Sequence, residues 1–115
     1  DGSQTRSFCY VDDTIAGLVA LMEAPPKVFQ GLPRQPPVVN VGNPGEVTML
    51  ALAETCWKVI RDDTPRIAFL AGHPDDPARR CPDITRAREL LHWAPQVPVV
   101  DGLQRTADWL KNRHT

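Results

Sequence analysis

Twelve prolines divide this chain, and they fall between its apolar segments, not inside them. Proline fixes φ and lacks an N–H, so neither a helix interior nor a central strand accepts it readily. The prolines therefore punctuate a folded chain and do not mark disorder. The segments between them are short and alternate in character. Residues 4–11 mix β-branched and aromatic residues with polar ones and predict a first strand, with Gln4, Arg6, Phe8 and Tyr10 on one face. Asp12 and Asp13 are cap types before a helix over 14–23 whose Ile15, Leu18, Val19, Leu21 and Met22 leave almost no polar face. Such a helix expects cover on more than one side.

Residues 25–37 hold five prolines and a glycine and predict a loop. A short apolar strand over 38–42 and the turn Asn43-Pro44-Gly45 follow. Thr48 is placed to cap a helix over 49–61, although Ala51 gives it no carboxylate partner for a capping box. The stripe of that helix is Met49, Leu52, Ala53, Cys56, Val59 and Ile60, with Trp57 at its edge. Residues 66–71 predict a third strand and 72–82 a polar loop. Asp83 then stands as N-cap of a helix burying Ile84, Ala87, Leu90 and Leu91. A last helix over 101–113 buries Leu103, Ala107 and Leu110, with Lys111, Arg113 and His114 suiting its negative end. The order is strand, helix, strand, helix, strand, helix, helix: a thin α/β domain.

At 115 residues the chain makes one small domain, able to bury roughly two-thirds of its unfolded surface. The net charge of −1 gives no support to nucleic-acid or membrane-surface binding. No apolar run reaches membrane-spanning length, and no secretory signal pattern is present. Cys9, Cys56 and Cys81 are odd in number and lack CxxC spacing, which fits reduced thiols in the cytoplasm.

Two places present chemistry. Arg6, with Gln4 beside it, puts a guanidinium fork on a strand, a geometry suited to phosphate oxygens. On residue type alone a solvated surface salt bridge is by far the better account of it. Arg79 and Arg80 precede a helix start, where free N–H groups and the dipole favour an anion. Mutual neutralisation with Asp75 and Asp76 is the plain alternative. His73, Asp75 and Asp76 lack the further cluster that a metal site needs, so no metal is expected. No Ser-His-Asp set and no glycine-rich phosphate loop occurs, and Cys9 reads as packing. Residue types and spacing name no reaction.

With both arginine segments in view, the chain resembles the C-terminal part of an extended short-chain dehydrogenase/reductase, of the NAD-dependent epimerase/dehydratase family. More narrowly it resembles the UDP-glucuronate decarboxylases, which make UDP-xylose. The matching segments are DGSQTRSFCYVDD, VVNVGNPGEVTMLALAE and DDPARRCPDITRARELLHWAPQVPVVDGLQRT. The resemblance implies a substrate-binding subdomain of a Rossmann-type enzyme, with few short strands, about four helices and no main dinucleotide-binding sheet. It implies that Arg6 contacts the nucleotide diphosphate with Gln4 beside it. Arg80 would approach diphosphate and sugar and assist proton delivery after carbon dioxide leaves. Asp83 would lie near the ribose and Tyr10 near the site. NAD would oxidise C4 of the glucuronate in the full-length enzyme and return its hydride after decarboxylation, while this chain itself would hold no cofactor. The family's GxxGxxG turn and Tyr-x-x-x-Lys pair do not occur here, since Tyr10 has Thr14 where lysine would stand. The expected partners are a UDP-sugar, an N-terminal Rossmann domain and a second copy in a homodimer. Alone the chain should be inactive. A sibling epimerase or dehydratase, or a stand-alone binding module, are the alternatives.

Overall fold

The computed structural model of the protein describes residues 1–33, 37–61 and 63–113. Its elements run β1 (Thr5–Ser7), α1 (Val11–Glu23), a 3-10 turn (Pro26–Phe29), β2 (Glu46–Thr48), α2 (Met49–Ile60), β3 (Arg79–Arg80), α3 (Thr85–Leu91) and α4 (Val99–Arg113). The order of strands and helices is the expected one. Two of the three strands, however, lie outside the apolar runs, and β1 is shorter than the alternation in residues 4–11 suggests.

Residues 38–42 pair with no strand among the described residues. Side chains hold them instead: Asn40 Nδ2 donates to the Asp83 carbonyl at 3.1 Å, and Arg86 Nη1 donates to the Val38 carbonyl at 2.9 Å. Val39 and Val41 turn inward against Ile84, Ala87 and Trp93, the buried core. The run is apolar because it packs, not because it is laddered. Residues 66–71 are not in the sheet either, and Leu70 is 88% exposed. A strand exists only where a neighbour offers N–H and C=O groups, and these residues have no such neighbour among those described.

The sheet has the order β2-β1-β3. Antiparallel pairing sets Thr5 opposite Thr48, Arg6 opposite Val47 and Ser7 opposite Glu46. Parallel pairing sets Thr5 beside Arg79 and Arg6 beside Arg80. Alternation then puts Thr5, Ser7, Glu46, Thr48 and Arg79 on one face and Arg6, Val47 and Arg80 on the other. On the first face Glu46 accepts from Thr5 Oγ1 at 2.6 Å, from Arg79 Nε at 2.9 Å and from Arg79 Nη2 at 2.6 Å. The Arg79 hydrogen bonds, helped by the Thr5 hydroxyl, hold the Glu46 carboxyl well below its usual range, at about 2.

α1 begins at Val11, with Tyr10 in the N-cap position and no side-chain cap. Asp12 and Asp13 are therefore not caps but first-turn acids, favourable to the helix dipole. Asp13 is buried. Its Oδ2 accepts from the N–H of Gln96 at 3.0 Å and of Val97 at 2.8 Å, and its carbonyl accepts from the Trp93 indole at 3.0 Å. One residue thus ties α1 to the link between α3 and α4. One turn on, Gly17 lets the helix approach so closely that a Cβ there would lie 2.5 Å from Val41 Cγ1 and 3.1 Å from Trp93 Cε2.

The other helices start near the expected positions. Thr48 Oγ1 caps α2 by accepting from the Ala51 N–H at 3.1 Å. Asp83 Oδ1 accepts from Thr85 N–H at 2.9 Å and from its hydroxyl at 2.6 Å, although Ile84 occupies the N-cap position itself. α4 starts at Val99, with Arg113 stacked 4.7 Å from the Trp109 ring centroid and Leu110 exposed. His114 lies outside the described residues.

The molecule is a slab 19 Å thick, with a radius of gyration of 17.5 Å, where a compact chain of this length has about 13 Å. It exposes 8527 Å², against roughly 6300 Å² for a compact monomer of its mass. Part of the excess is one stripe of α1. Val11, Ile15, Leu18, Val19 and Met22 recur at helical spacing and are all exposed. The expected cover is present on one side of this helix only.

Two outcomes follow from the packing and the sheet. Gly17→Ala gains about 1 kcal/mol of helix propensity but overpacks a buried tryptophan at a cost of about 1–3 kcal/mol. We expect a net loss, read as a lower urea midpoint; a higher midpoint would show that Val41 and Trp93 yield freely. The second concerns acid. Glu46 is depressed from 4.5 to about 2, so its contribution is complete above its unfolded value and disappears as pH falls through the folded one. Amide exchange at Thr5, whose N–H donates to the Ala78 carbonyl at 2.9 Å, should be constant in protection above about pH 5 and lose it between there and pH 2. Loss of protection already between pH 5 and 7 would contradict the depressed carboxyl.

Candidate functional site

The parallel register that places Arg6 beside Arg80 turns both side chains to the same face of the sheet. Both line one cleft of about 580 Å³, together with Val41, Gly42, Asn43, Cys81 and Asp83. That volume lies within the range of small-molecule sites. The two arginines are not equivalent. Arg6 is largely covered: Nη1 donates to its neighbour's carbonyl on Thr5 at 2.6 Å, and Nη2 pairs with Asp76. Arg80 is exposed, and its guanidinium makes no hydrogen bond or ion pair among the described residues. The cleft therefore holds one oriented cation and one uncommitted cation, the combination that suits an anion with several oxygens.

The acids of the loop do not neutralise Arg79 and Arg80 as a pair. Asp76 goes to Arg6, Asp75 lies 3.9 Å from His73 Nδ1, and Arg79 turns to Glu46 on the opposite face. Ser7 borders the cleft next to Arg6, but its side chain belongs to the Glu46 face, where its hydroxyl oxygen is buried with no hydrogen-bond partner among the described residues. Three further residues singled out in the sequence fall in different places. Asp83 lines the cleft, with its carboxyl lowered by the Thr85 hydroxyl and then by the Thr85 N–H. Gln4 lines a neighbouring hollow of about 480 Å³ together with Asp76, the partner of Arg6. Tyr10 is turned away, packed on Gly102 of α4 with the Arg105 guanidinium 5.5 Å from its ring centroid. The geometry thus gathers Arg6, Arg80 and Asp83, leaves Gln4 adjacent and removes Tyr10 to the far side.

Among the described residues no three His, Cys, Asp or Glu side chains are grouped to hold a metal. The turn VGNPG has no GxxGxxG spacing, and a Cβ on Gly42 would lie 3.0 Å from Pro82 Cγ, so this glycine makes room for a proline ring. Sequence reading missed Glu46 and Ser7 as neighbours of the site, and set Asp76 against Arg79 and Arg80 where it pairs with Arg6. The only signal was a polar residue inside a short strand, which becomes informative once its cross-strand partner is known.

No protein-family profile matches the chain. Curated relatives do. It is 46% identical over 102 residues to UDP-glucuronic acid decarboxylase 6 of Arabidopsis thaliana, covering 89% of this chain and 27% of that protein. UDP-glucuronic acid decarboxylase 1 of Arabidopsis thaliana is 46% identical over 98% of the chain and 24% of its own length. The chain thus spans about a quarter of these relatives. Among solved structures, UDP-glucuronic acid 4-epimerase of Bacillus cereus, in complex with UDP-glucuronic acid and NAD, superposes with a TM-score of 0.78 at 31% identity, over 98% of this chain and 34% of that one. UDP-glucose 4-epimerase of Thermotoga maritima shares the fold, with a TM-score of 0.81 at 24% identity over all of this chain and 34% of that one. No helix is long and apolar enough to cross a membrane among the described residues. Matched along nearly all its length to a C-terminal part of the UDP-glucuronic acid decarboxylases, the chain belongs with them to the NAD-dependent epimerase/dehydratase branch of the extended short-chain dehydrogenase/reductase family.

Proposed function

We propose that these 115 residues form the nucleotide-sugar-binding portion of a UDP-glucuronate decarboxylase-like enzyme. The observation that carries this reading is the register of Arg6 beside Arg80 over one cleft. Two guanidinium groups on one sheet face repel each other, and Asp76 offsets only the first. A diphosphate between them relieves that repulsion and satisfies both forks. Arg6 orients the diphosphate. Arg80, whose guanidinium has no partner among the described residues, reaches the sugar end, where its cation stabilises the charge that develops as carbon dioxide leaves and helps deliver the proton that replaces it. Asp83 serves the ribose and Gln4 supports the diphosphate from the adjoining hollow. Tyr10 bears on the site only through α4. Hydride chemistry is not assigned to these residues, and we expect no turnover from them alone.

The stripe of α1 and the excess surface fit cover by a dinucleotide-binding domain. Decarboxylases at 46% identity favour that activity over the 4-epimerase seen at 31%. Three half-buried, unpaired thiols suit a reducing compartment such as the cytoplasm. The exposed stripe also favours a second reading, in which the chain assembles through α1 as a binding module and pairs with its own copy.

Titration of the chain with UDP tests the first reading. Arg6→Ala and Arg80→Ala should each weaken binding roughly tenfold, as loss of a charged hydrogen bond does, and unchanged affinity in both would remove the site. Light scattering separates the second. A concentration-independent monomer would exclude self-assembly, whereas a dimer abolished by Leu18→Glu on α1 would establish it.

A further inference from the structure

We infer that Glu46 and Arg79 form a positioning clamp that sets Arg80 in the cleft beside Arg6; this rests on the proposed diphosphate site and deepens it.

β3 is only two residues long, far below the usual length of a strand. Backbone pairing alone gives it little to stay in register with. Yet register decides everything for Arg80, because neighbouring side chains in a strand point to opposite faces, and a slip by one residue exchanges Arg79 and Arg80. The side chains supply what the backbone lacks. Each strand contributes one residue to a single network on the face away from the cleft: Thr5 from the central strand, Glu46 from one edge and Arg79 from the other. The Glu46 carboxylate takes the Arg79 fork through Nε at 2.9 Å and Nη2 at 2.6 Å while accepting the Thr5 hydroxyl at 2.6 Å. A two-toothed contact fixes the direction of a guanidinium, as a single ammonium contact does not. With Arg79 fixed outward on that face, Arg80 is turned to the other. Arg79 is largely exposed, so the pair does little for global stability. Its effect is geometric.

The sign of one substitution separates this from simple electrostatics. Glu46→Gln removes a negative charge near an anion site, so a pure charge effect tightens UDP binding. Loss of the clamp weakens it. Arg79→Lys keeps the charge but cannot make the fork, so a charge effect leaves affinity unchanged and loss of positioning lowers it. The experiment titrates UDP into the wild-type chain, Glu46→Gln, Arg79→Lys and Arg80→Ala, with urea midpoints and amide exchange at Thr5 for each. The expected result is roughly fivefold weaker binding in both clamp variants, the scale of one hydrogen bond. Thr5 protection should fall while the urea midpoint barely moves. Equal or tighter binding by Glu46→Gln, with Arg80→Ala still weakened, overturns the clamp and leaves the site standing. Wild-type affinity in Arg80→Ala, or no UDP binding by the wild type, overturns the site and the clamp with it. Should Glu46→Gln unfold, Arg79→Lys decides: wild-type affinity there rejects the clamp.

Discussion

Parallel pairing between Thr5–Ser7 and Arg79–Arg80 is the constraint on which the site depends. It joins two segments more than seventy positions apart by a few backbone hydrogen bonds, of which Thr5 N–H to the Ala78 carbonyl is one. Without it Arg6 and Arg80 are two solvated cations. With it they are neighbours on one sheet face and line one cleft together with the turn at 42–43. The cost of such an arrangement is like-charge repulsion, which Asp76 reduces at Arg6 and nothing described reduces at Arg80. An uncompensated cation in a cleft is what supports the diphosphate proposed there.

The surrounding fold supports the pairing without itself forming a complete core. Asp13 and Trp93 lock α1 to the α3–α4 link, and Asn40 and Arg86 bind the 38–41 segment to the start of α3. Of these, the bond from Asn40 to the Asp83 carbonyl joins two residues that line the cleft. Together these bonds leave the outer stripe of α1 bare, and a thin slab with roughly a third more surface than a compact monomer is the result. Such a surface has the character of a domain core cut in two.

Much of this was legible in the residues. Helix positions came from period and caps: Thr48 and Asp83 make the side-chain bonds expected of them, and the α3 face at Ile84 and Ala87 is the core. The strands were not legible, because apolar runs signal burial and not pairing. Val39 and Val41 are buried without a ladder, while Glu46-Val47-Thr48 and Arg79-Arg80 pair although they look like loop. Pairing is a property of two segments, and no single segment carries it. The same holds for the site. Arg6 and Arg80 could be named from their segments, but Glu46, Asp76 and Ser7 acquire meaning only through neighbours distant in the chain. Tyr10 shows the reverse: its place in an alternating run suggested a shared face with Arg6, and the end of β1 at Ser7 broke that alternation.

The central claim is that Arg6 and Arg80 grip one diphosphate together. A double-mutant cycle tests it most directly, with UDP and uridine titrated into the wild-type chain, Arg6→Ala, Arg80→Ala and the double variant. Residues sharing one ligand group should show a non-additive cost for UDP and none for uridine, which lacks the phosphates. Strict additivity with UDP, or equal losses with uridine, would contradict a shared diphosphate.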